Sequence, residues 1–167
     1  MKPTDFLTAF HEARASAILR TQLAEAARPA MEAAIRGGFR IIEFTMNTPG
    51  ALDLIAEFSA RDNVLVGAGT VLSPDDATAA IDAGAVCIVS PVVDEQVIDV
   101  ARARDIACMP GTHTATEMLR AHRAGAQLQK LFPAPVRTTA LARERSISLR
   151  WLRSSRHTSR SRALALP

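Results

Sequence analysis

The chain has 167 residues, of which 48% are hydrophobic, 22% charged and only 4% aromatic. This composition is typical of a globular domain with a sizeable core, and the scarcity of aromatic rings argues against a base-stacking nucleic-acid surface. No apolar run approaches the roughly 20 residues that cross a bilayer, so we expect a cytoplasmic protein without a membrane partner.

Short apolar runs alternate with helical stretches through most of the chain. The predicted strands cover residues 17–19, 40–44, 64–68, 86–90, 106–108 and 127–132. The predicted helices cover residues 22–36, about 50–60, 74–83, 94–103 and 114–124. Pro29 predicts a kink or a break in the first of these helices. Strands that are apolar on both faces are typical of a parallel sheet covered by helices.

Strict alternation at about 20–25 residues per unit indicates an α/β fold, either a (β/α) barrel or a doubly wound sheet. No GxGxxG sequence follows the first strand, which disfavours the dinucleotide-binding sheet. Polar residues, proline or glycine end nearly every strand, and in a barrel these ends form one functional rim. We therefore predict a (β/α)8 TIM-barrel type fold that is incomplete, with about six β-α units. The strand-end residues are Arg20, Glu43, Thr70, Ser90-Pro91, Pro110-Gly111 and Lys130.

Lys130 is unusual because 18 of the 20 basic residues are arginine and the only other lysine is Lys2. A lysine flanked by apolar residues on a barrel strand loses ammonium solvation, which favours the nucleophilic amine. Such an amine can form a Schiff base with a substrate carbonyl. The alternative is a lysine whose ammonium group extends from the strand end to solvent.

Glu43 interrupts the apolar strand 40–44 with a carboxylate. A carboxylate in such a strand is rarely buried without a partner. One interpretation is a salt bridge to Arg20 or Arg40. The other is a general acid/base on the same rim as Lys130, which aldol chemistry requires.

Five segments together resemble the class I aldolases that act on 2-keto-3-deoxy-6-phosphogluconate and 4-hydroxy-2-oxoglutarate. The resemblance covers about residues 5–135, with the segments in family order and spacing. It implies a (β/α)8 barrel, a homotrimer, no metal and no cofactor, and a small 2-oxo acid substrate cleaved to pyruvate and an aldehyde such as glyceraldehyde 3-phosphate. The segments are GGFRIIEFTMNTP, VLVGAGTVLSP, AGAVCIVSPVVD, CMPGTHTATE and AGAQLQKLFPAP.

The resemblance also implies residue roles. Lys130 matches the Schiff-base lysine and Glu43 the general acid/base. Thr70 and Pro91 match residues that line the pyruvate pocket. Arg20 lies where many members have a basic residue after the first strand, and it is either a substrate-carboxylate ligand or a surface arginine.

Asn47 departs from the phosphogluconate type, in which many members have an arginine four residues after the glutamate. An Asn-Thr-Pro run at this place is similar to the 2-dehydro-3-deoxy-6-phosphogalactonate aldolases. The sequence therefore keeps both sugar series open, with Asn47 as a candidate substrate-binding residue.

Residues 136–167 differ in character from the rest of the chain. Residues 137–167 carry eight arginines and one glutamate, a net charge of +7, whereas residues 1–136 carry a net charge of −4. Family members continue with two more β-α units whose glycine-rich turns hold the substrate phosphate, but residues 136–167 contain no glycine. We expect a partial barrel over 1–135 and an Arg/Ser-rich tail over 136–167, either frameshifted or disordered. A catalytically impaired fragment with an anion-binding tail is the alternative, and we do not expect a nucleic-acid partner.

Overall fold

The computed structural model describes residues 1–133, and these form six helices and six strands. The helices are α1 Pro3–Ala13, α2 Ala24–Arg36, α3 Ala51–Ser59, α4 Pro74–Asp82, α5 Glu95–Ala103 and α6 Ala115–Ala124. The strands are β1 Ala17–Leu19, β2 Ile41–Thr45, β3 Leu65–Gly69, β4 Cys87–Ser90, β5 Ala107–Thr112 and β6 Lys130–Leu131. The predicted tail, residues 136–167, lies outside the described residues.

The six strands form one parallel sheet in which spatial order follows chain order, from β1 to β6. A doubly wound sheet would reverse its strand order at a switch point, whereas a barrel adds each strand beside the previous one. The observed order confirms the predicted incomplete (β/α) barrel. Within residues 1–133, β1 and β6 are its two edge strands.

The sheet separates two apolar clusters. The larger one lies between the strands and α2 to α6 and contains Ile42 and Phe44. The smaller one lies on the other face, which we call the inner face, and contains Ile41, Cys87 and Ala107, the first residues of β2, β4 and β5. Phe6 of α1 joins this inner cluster. Helix α1, which sequence patterns did not predict, therefore covers the inner face at the amino ends of the strands.

Of the kink or break predicted at Pro29, the break is wrong, because α2 runs from Ala24 to Arg36 with Pro29 inside it. Proline removes the bond that its own N–H would donate to the carbonyl of Glu25. Both residues are exposed, so water can satisfy that carbonyl. Helix α4 begins at a capped end, where the Ser73 hydroxyl accepts a hydrogen bond from the Asp76 N–H at 3.1 Å.

Cys87 and Cys108 are free thiols, both buried. Burial raises the pKa of the Cys108 thiol to about 12. These side chains therefore behave as small apolar residues of the core. None of the helices within residues 1–133 is long and apolar enough to cross a membrane.

Candidate active site

Glu43 lies on the inner face of β2, since its neighbours Ile42 and Phe44 both pack towards the helices. The residue is only 5% exposed. The carboxylate lies over Gly69 of the adjacent strand, where a Cβ atom would overlap its Oε1 and Cδ atoms. A glycine at this point of β3 is what leaves room for the carboxylate inside the barrel.

Lys130 faces the same side of the sheet. Met109 of β5 packs against the inner cluster, so Gly111, two residues later, also faces inwards. Lys130 is the register partner of Gly111 and therefore extends to the inner face from the carboxyl end of the sheet. The residue is half-buried, and its Nζ lies 5.1 Å from the centre of the Phe132 ring.

The electrostatics of Glu43 connect it to two cations. Burial raises the pKa of the Glu43 carboxyl, and the charges of Lys130 and Arg20 oppose that rise. No hydrogen bond or ion pair to the carboxylate forms within residues 1–133. A desolvated carboxyl group without a fixed partner, near a lysine, has the properties of a general acid/base.

The two arginines considered as salt-bridge partners of Glu43 are engaged elsewhere. Arg40 donates to the carbonyl oxygens of Ile35 and Phe39, beside the start of β2. Arg20 donates to the Thr70 hydroxyl at 2.8 Å. Neither arginine forms an ion pair with Glu43, so the salt-bridge interpretation does not describe the structure.

The bond between Arg20 and Thr70 joins the carboxyl ends of β1 and β3, and thus spans β2. Thr70 has a φ of 57°. This left-handed conformation is strained for a β-branched residue and is frequent at functional sites. The exposed Arg20 side chain and the half-buried Thr70 side chain form one part of the rim.

Pro91 follows β4 and packs against β5. A Cβ atom at Gly111 would overlap the Pro91 carbonyl group, so the backbone at Pro91 lies directly against the strand that pairs with Lys130. Pro91 itself is half-buried. The rim loop after β4 is thereby held close to the segment that carries the lysine.

Asn47 is exposed in the turn after β2. The buried hydroxyls of Thr45 and Thr48 lie 3.0 Å apart, and the Thr48 N–H donates to the Thr45 carbonyl at 2.8 Å. These bonds fix the turn from which Asn47 projects. No hydrogen bond joins Asn47 to Glu43 or Lys130 within residues 1–133.

Sequence patterns named Gly111 as a strand-end residue but gave no spatial role to it or to Gly69, and both residues make room in this site. Their signal was present, since both are glycines at inward-facing positions of strands. The Thr45–Thr48 pair was also missed, because its two hydroxyls are recognisable as partners only once the turn is formed. No group of three or more His, Cys, Asp or Glu side chains within residues 1–133 is arranged to hold a metal ion.

The chain is similar to known proteins over largely the same residues. The sequence model of the family described as "Aldolase: KDPG and KHG aldolase" matches residues 8–143. The chain is 40% identical over 122 residues to a probable 2-dehydro-3-deoxy-6-phosphogalactonate aldolase of Rhizobium meliloti, covering 72% of this chain and 58% of that protein. It is 36% identical over 109 residues to a 2-dehydro-3-deoxy-phosphogluconate aldolase of Pseudomonas aeruginosa, covering 65% of this chain and 50% of the relative.

A solved 4-hydroxy-2-oxoglutarate/phosphogluconate aldolase from TTHB1 superposes with a TM-score of 0.76 and 32% identity, over 90% of this chain and 74% of that one. The fold of residues 1–133 is thus that of this barrel aldolase. The chain belongs to the KDPG and KHG aldolase family. It spans between 50% and 60% of the length of the first three curated relatives.

Proposed function

We propose that this chain is a Schiff-base aldolase that cleaves a 2-keto-3-deoxy-6-phospho sugar acid of the phosphogluconate type to pyruvate and glyceraldehyde 3-phosphate. The observation that carries the proposal is the placement of Lys130 and the buried Glu43 on one face of the barrel. Family membership agrees with it, and a Legionella pneumophila relative, 26% identical with a TM-score of 0.68, was solved with pyruvate captured as a covalent carbinolamine.

In the proposed reaction the Lys130 amine adds to the C2 ketone, and loss of water gives a protonated imine. Glu43 then accepts the proton of the C4 hydroxyl. As the C4 aldehyde forms, the C3–C4 bond breaks and its electrons form the C2=C3 double bond, while the C=N π electrons move to the Lys130 nitrogen, giving the enamine of pyruvate. Glu43 returns the proton to C3, and water hydrolyses the imine to release pyruvate and the free amine.

The remaining site residues bind rather than react in this proposal. Arg20 pairs with the substrate carboxylate, because its guanidinium is exposed on the rim and, within residues 1–133, is anchored by the neutral Thr70 hydroxyl alone. Thr70 and Pro91 form the wall of the pyruvate pocket. Asn47 contacts the substrate beyond C3, from the turn that follows β2.

The phosphogalactonate series is the alternative substrate. Asn47, where many phosphogluconate-type members have arginine, favours it, and phosphogalactonate aldolases of two organisms are among the relatives, at 40% and 36% identity. The two sugar acids differ in configuration near the bond that breaks. An amide and a guanidinium at this position offer that centre different hydrogen-bond donors.

We further propose that the enzyme works in the cytoplasm as a homotrimer. The two buried free thiols agree with a reducing compartment. A solved protein cage designed by fusing symmetric oligomeric domains is 33% identical to this chain, with a TM-score of 0.69, which supports an oligomer. Light scattering coupled to gel filtration tests the trimer, and a monomeric mass would contradict it.

Release of pyruvate tests the activity. The full chain is assayed with the phosphogluconate-type acid, the phosphogalactonate-type acid and 4-hydroxy-2-oxoglutarate, beside Lys130→Ala and Asn47→Arg. Pyruvate must be released from at least one substrate by the unsubstituted chain and not by Lys130→Ala. If Asn47 selects the sugar, Asn47→Arg shifts the preference between the first two substrates. Equal release by Lys130→Ala would contradict the proposal.

A further inference from the structure

Lys130 stands on a very short strand, and its backbone is held from one side within residues 1–133. β6 consists of Lys130 and Leu131 and pairs with β5 alone. The Thr112 hydroxyl donates to the Lys130 carbonyl at 3.3 Å, and the Phe132 N–H donates to the Thr112 carbonyl at 3.0 Å. A two-residue strand orients a long side chain poorly unless the chain beyond it is also fixed.

His113 provides that fixation. Its Nδ1 lies 3.2 Å from the carbonyl oxygen of Pro133, three residues after Lys130. A carbonyl only accepts, so the Nδ1–H must donate, and it does so in both the neutral tautomer that carries this proton and the imidazolium. The bond links the loop after β5 to the chain after β6 and thereby closes a loop around Lys130.

The backbone of His113 is itself held in place by hydrogen bonds at the start of α6. The Glu117 carboxylate accepts from the N–H groups of His113 and Thr114, at 2.7 and 2.8 Å, and the Thr114 hydroxyl caps α6 by accepting from the Glu117 N–H. These backbone bonds hold the pKa of the Glu117 carboxyl below its usual range, which keeps it an acceptor near neutral pH. The His113 backbone is thus fixed to the amino end of α6.

We propose that His113 is a positioning residue for Lys130: its hydrogen bond to Pro133 fixes the direction from which the amine approaches a bound 2-oxo acid. The inference rests on the proposed function, since it concerns the nucleophile of that reaction. It does not require His113 to touch the substrate. It predicts an effect on the rate of imine formation rather than on the affinity for pyruvate.

Three variants of the full chain separate this role from a general structural one. Asparagine places its amide nitrogen where histidine has Nδ1, glutamine places it nearer the Nε2 position, and alanine has no donor. We expect His113→Asn to retain the wild-type behaviour. We expect His113→Ala and His113→Gln to lower the maximal rate of borohydride-trapped pyruvate adduct formation about three- to tenfold, the size expected for one lost hydrogen bond. The half-saturating pyruvate concentration should change little.

Hydrogen exchange at the Phe132 amide gives a readout that does not depend on catalysis. It should accelerate by a similar factor in His113→Ala and His113→Gln, and stay near the wild-type rate in His113→Asn. If wild type forms no adduct, the proposed function fails. The exchange rates alone then test whether the hydrogen bond from His113 to Pro133 fixes the chain after β6. If His113→Ala does not fold, the comparison of His113→Asn with His113→Gln tests the inference instead. Equal exchange in all folded variants, or a loss in His113→Asn equal to that in His113→Gln, overturns the inference.

Discussion

The carboxylate of Glu43 occupies the space that a side chain at Gly69 would fill, one strand away on the inner face of the barrel. The position of the Glu43 carboxylate therefore depends on the absence of a Cβ atom at Gly69 of β3. Gly67, two residues earlier on the same face, differs from Gly69, because the nearest contacts of a Cβ there are backbone oxygens at 3.4 and 3.7 Å. The two glycines form a matched pair for testing what the position of Glu43 contributes.

Gly69→Ala should displace the Glu43 carboxylate and lower kcat/KM for substrate cleavage by about 10²-fold, the usual effect of misplacing a reacting group by about 1 Å. The flexible glutamate can rotate away, so the fold should survive. Gly67→Ala is the control and should stay close to wild type. Steady-state kinetics together with circular dichroism check both variants, and equal losses in the two alanine variants would contradict this assignment.

Glu43→Gln should lower activity by about 10²- to 10⁴-fold, because the general acid/base is removed. It should also raise stability at neutral pH. The raised pKa of Glu43 means that folding favours its protonated form, so its stabilising contribution is present below pH 4.5 and is lost as pH rises through the folded-state value. The difference in Tm between Glu43→Gln and wild type should therefore grow with pH. Thermal unfolding between pH 4 and pH 8 measures it; a constant or shrinking difference would argue against a desolvated carboxylate.

Arg20 should influence the pH dependence of the reaction through Glu43. Its positive charge lowers the pKa of the Glu43 carboxyl, so Arg20→Gln should move the acidic limb of the kcat pH profile to higher pH. Thr70→Val is the matched control, because it removes the hydroxyl partner of Arg20 while leaving the charge and the β-branched shape in place. The valine variant should keep the position of the limb, whatever its effect on the rate. A shift of the same size in both variants would assign the effect to the hydrogen bond.

Much of this architecture can be predicted from local sequence patterns. Buried strands separated by amphipathic helices predict the sheet, and breaks in the apolar pattern mark Glu43 and Lys130. These features depend on neighbours in the chain, which a single sequence displays.

Other features depend on contacts between distant segments. The bond between Arg20 and Thr70 joins residues 50 positions apart and exists only because three strands end at one rim. Helix α1 was missed because it packs against an inner cluster that forms only when the barrel folds. The strand around Lys130 was predicted over 127–132 but pairs only at Lys130–Leu131, since it is limited by its register with β5.

Substrate phosphorylation should matter less for this chain than for a full family member. Residues 136–167 contain no glycine, and so no glycine-rich turn to hold a phosphate through backbone N–H groups. If residues 136–167 are frameshifted, as one of the sequence predictions has it, the matched comparison is a chain with the other reading frame after Pro135. Against that chain, kcat/KM should fall more for a phosphorylated sugar acid than for 4-hydroxy-2-oxoglutarate. Equal losses on both substrates would mean that the barrel itself is impaired. Undiminished activity on the phosphorylated substrate would place the phosphate elsewhere.

The nucleophile is tested most directly by trapping the imine. The chain is incubated with pyruvate and borohydride, digested and analysed by mass spectrometry, beside Lys130→Arg and Lys2→Arg variants. Because Lys2 and Lys130 are its only lysines, the modified peptide identifies the reacting amine without ambiguity. The account predicts one pyruvate adduct on Lys130, retained in Lys2→Arg and lost in Lys130→Arg. A folded protein that forms no adduct, or carries it on Lys2, would contradict the account.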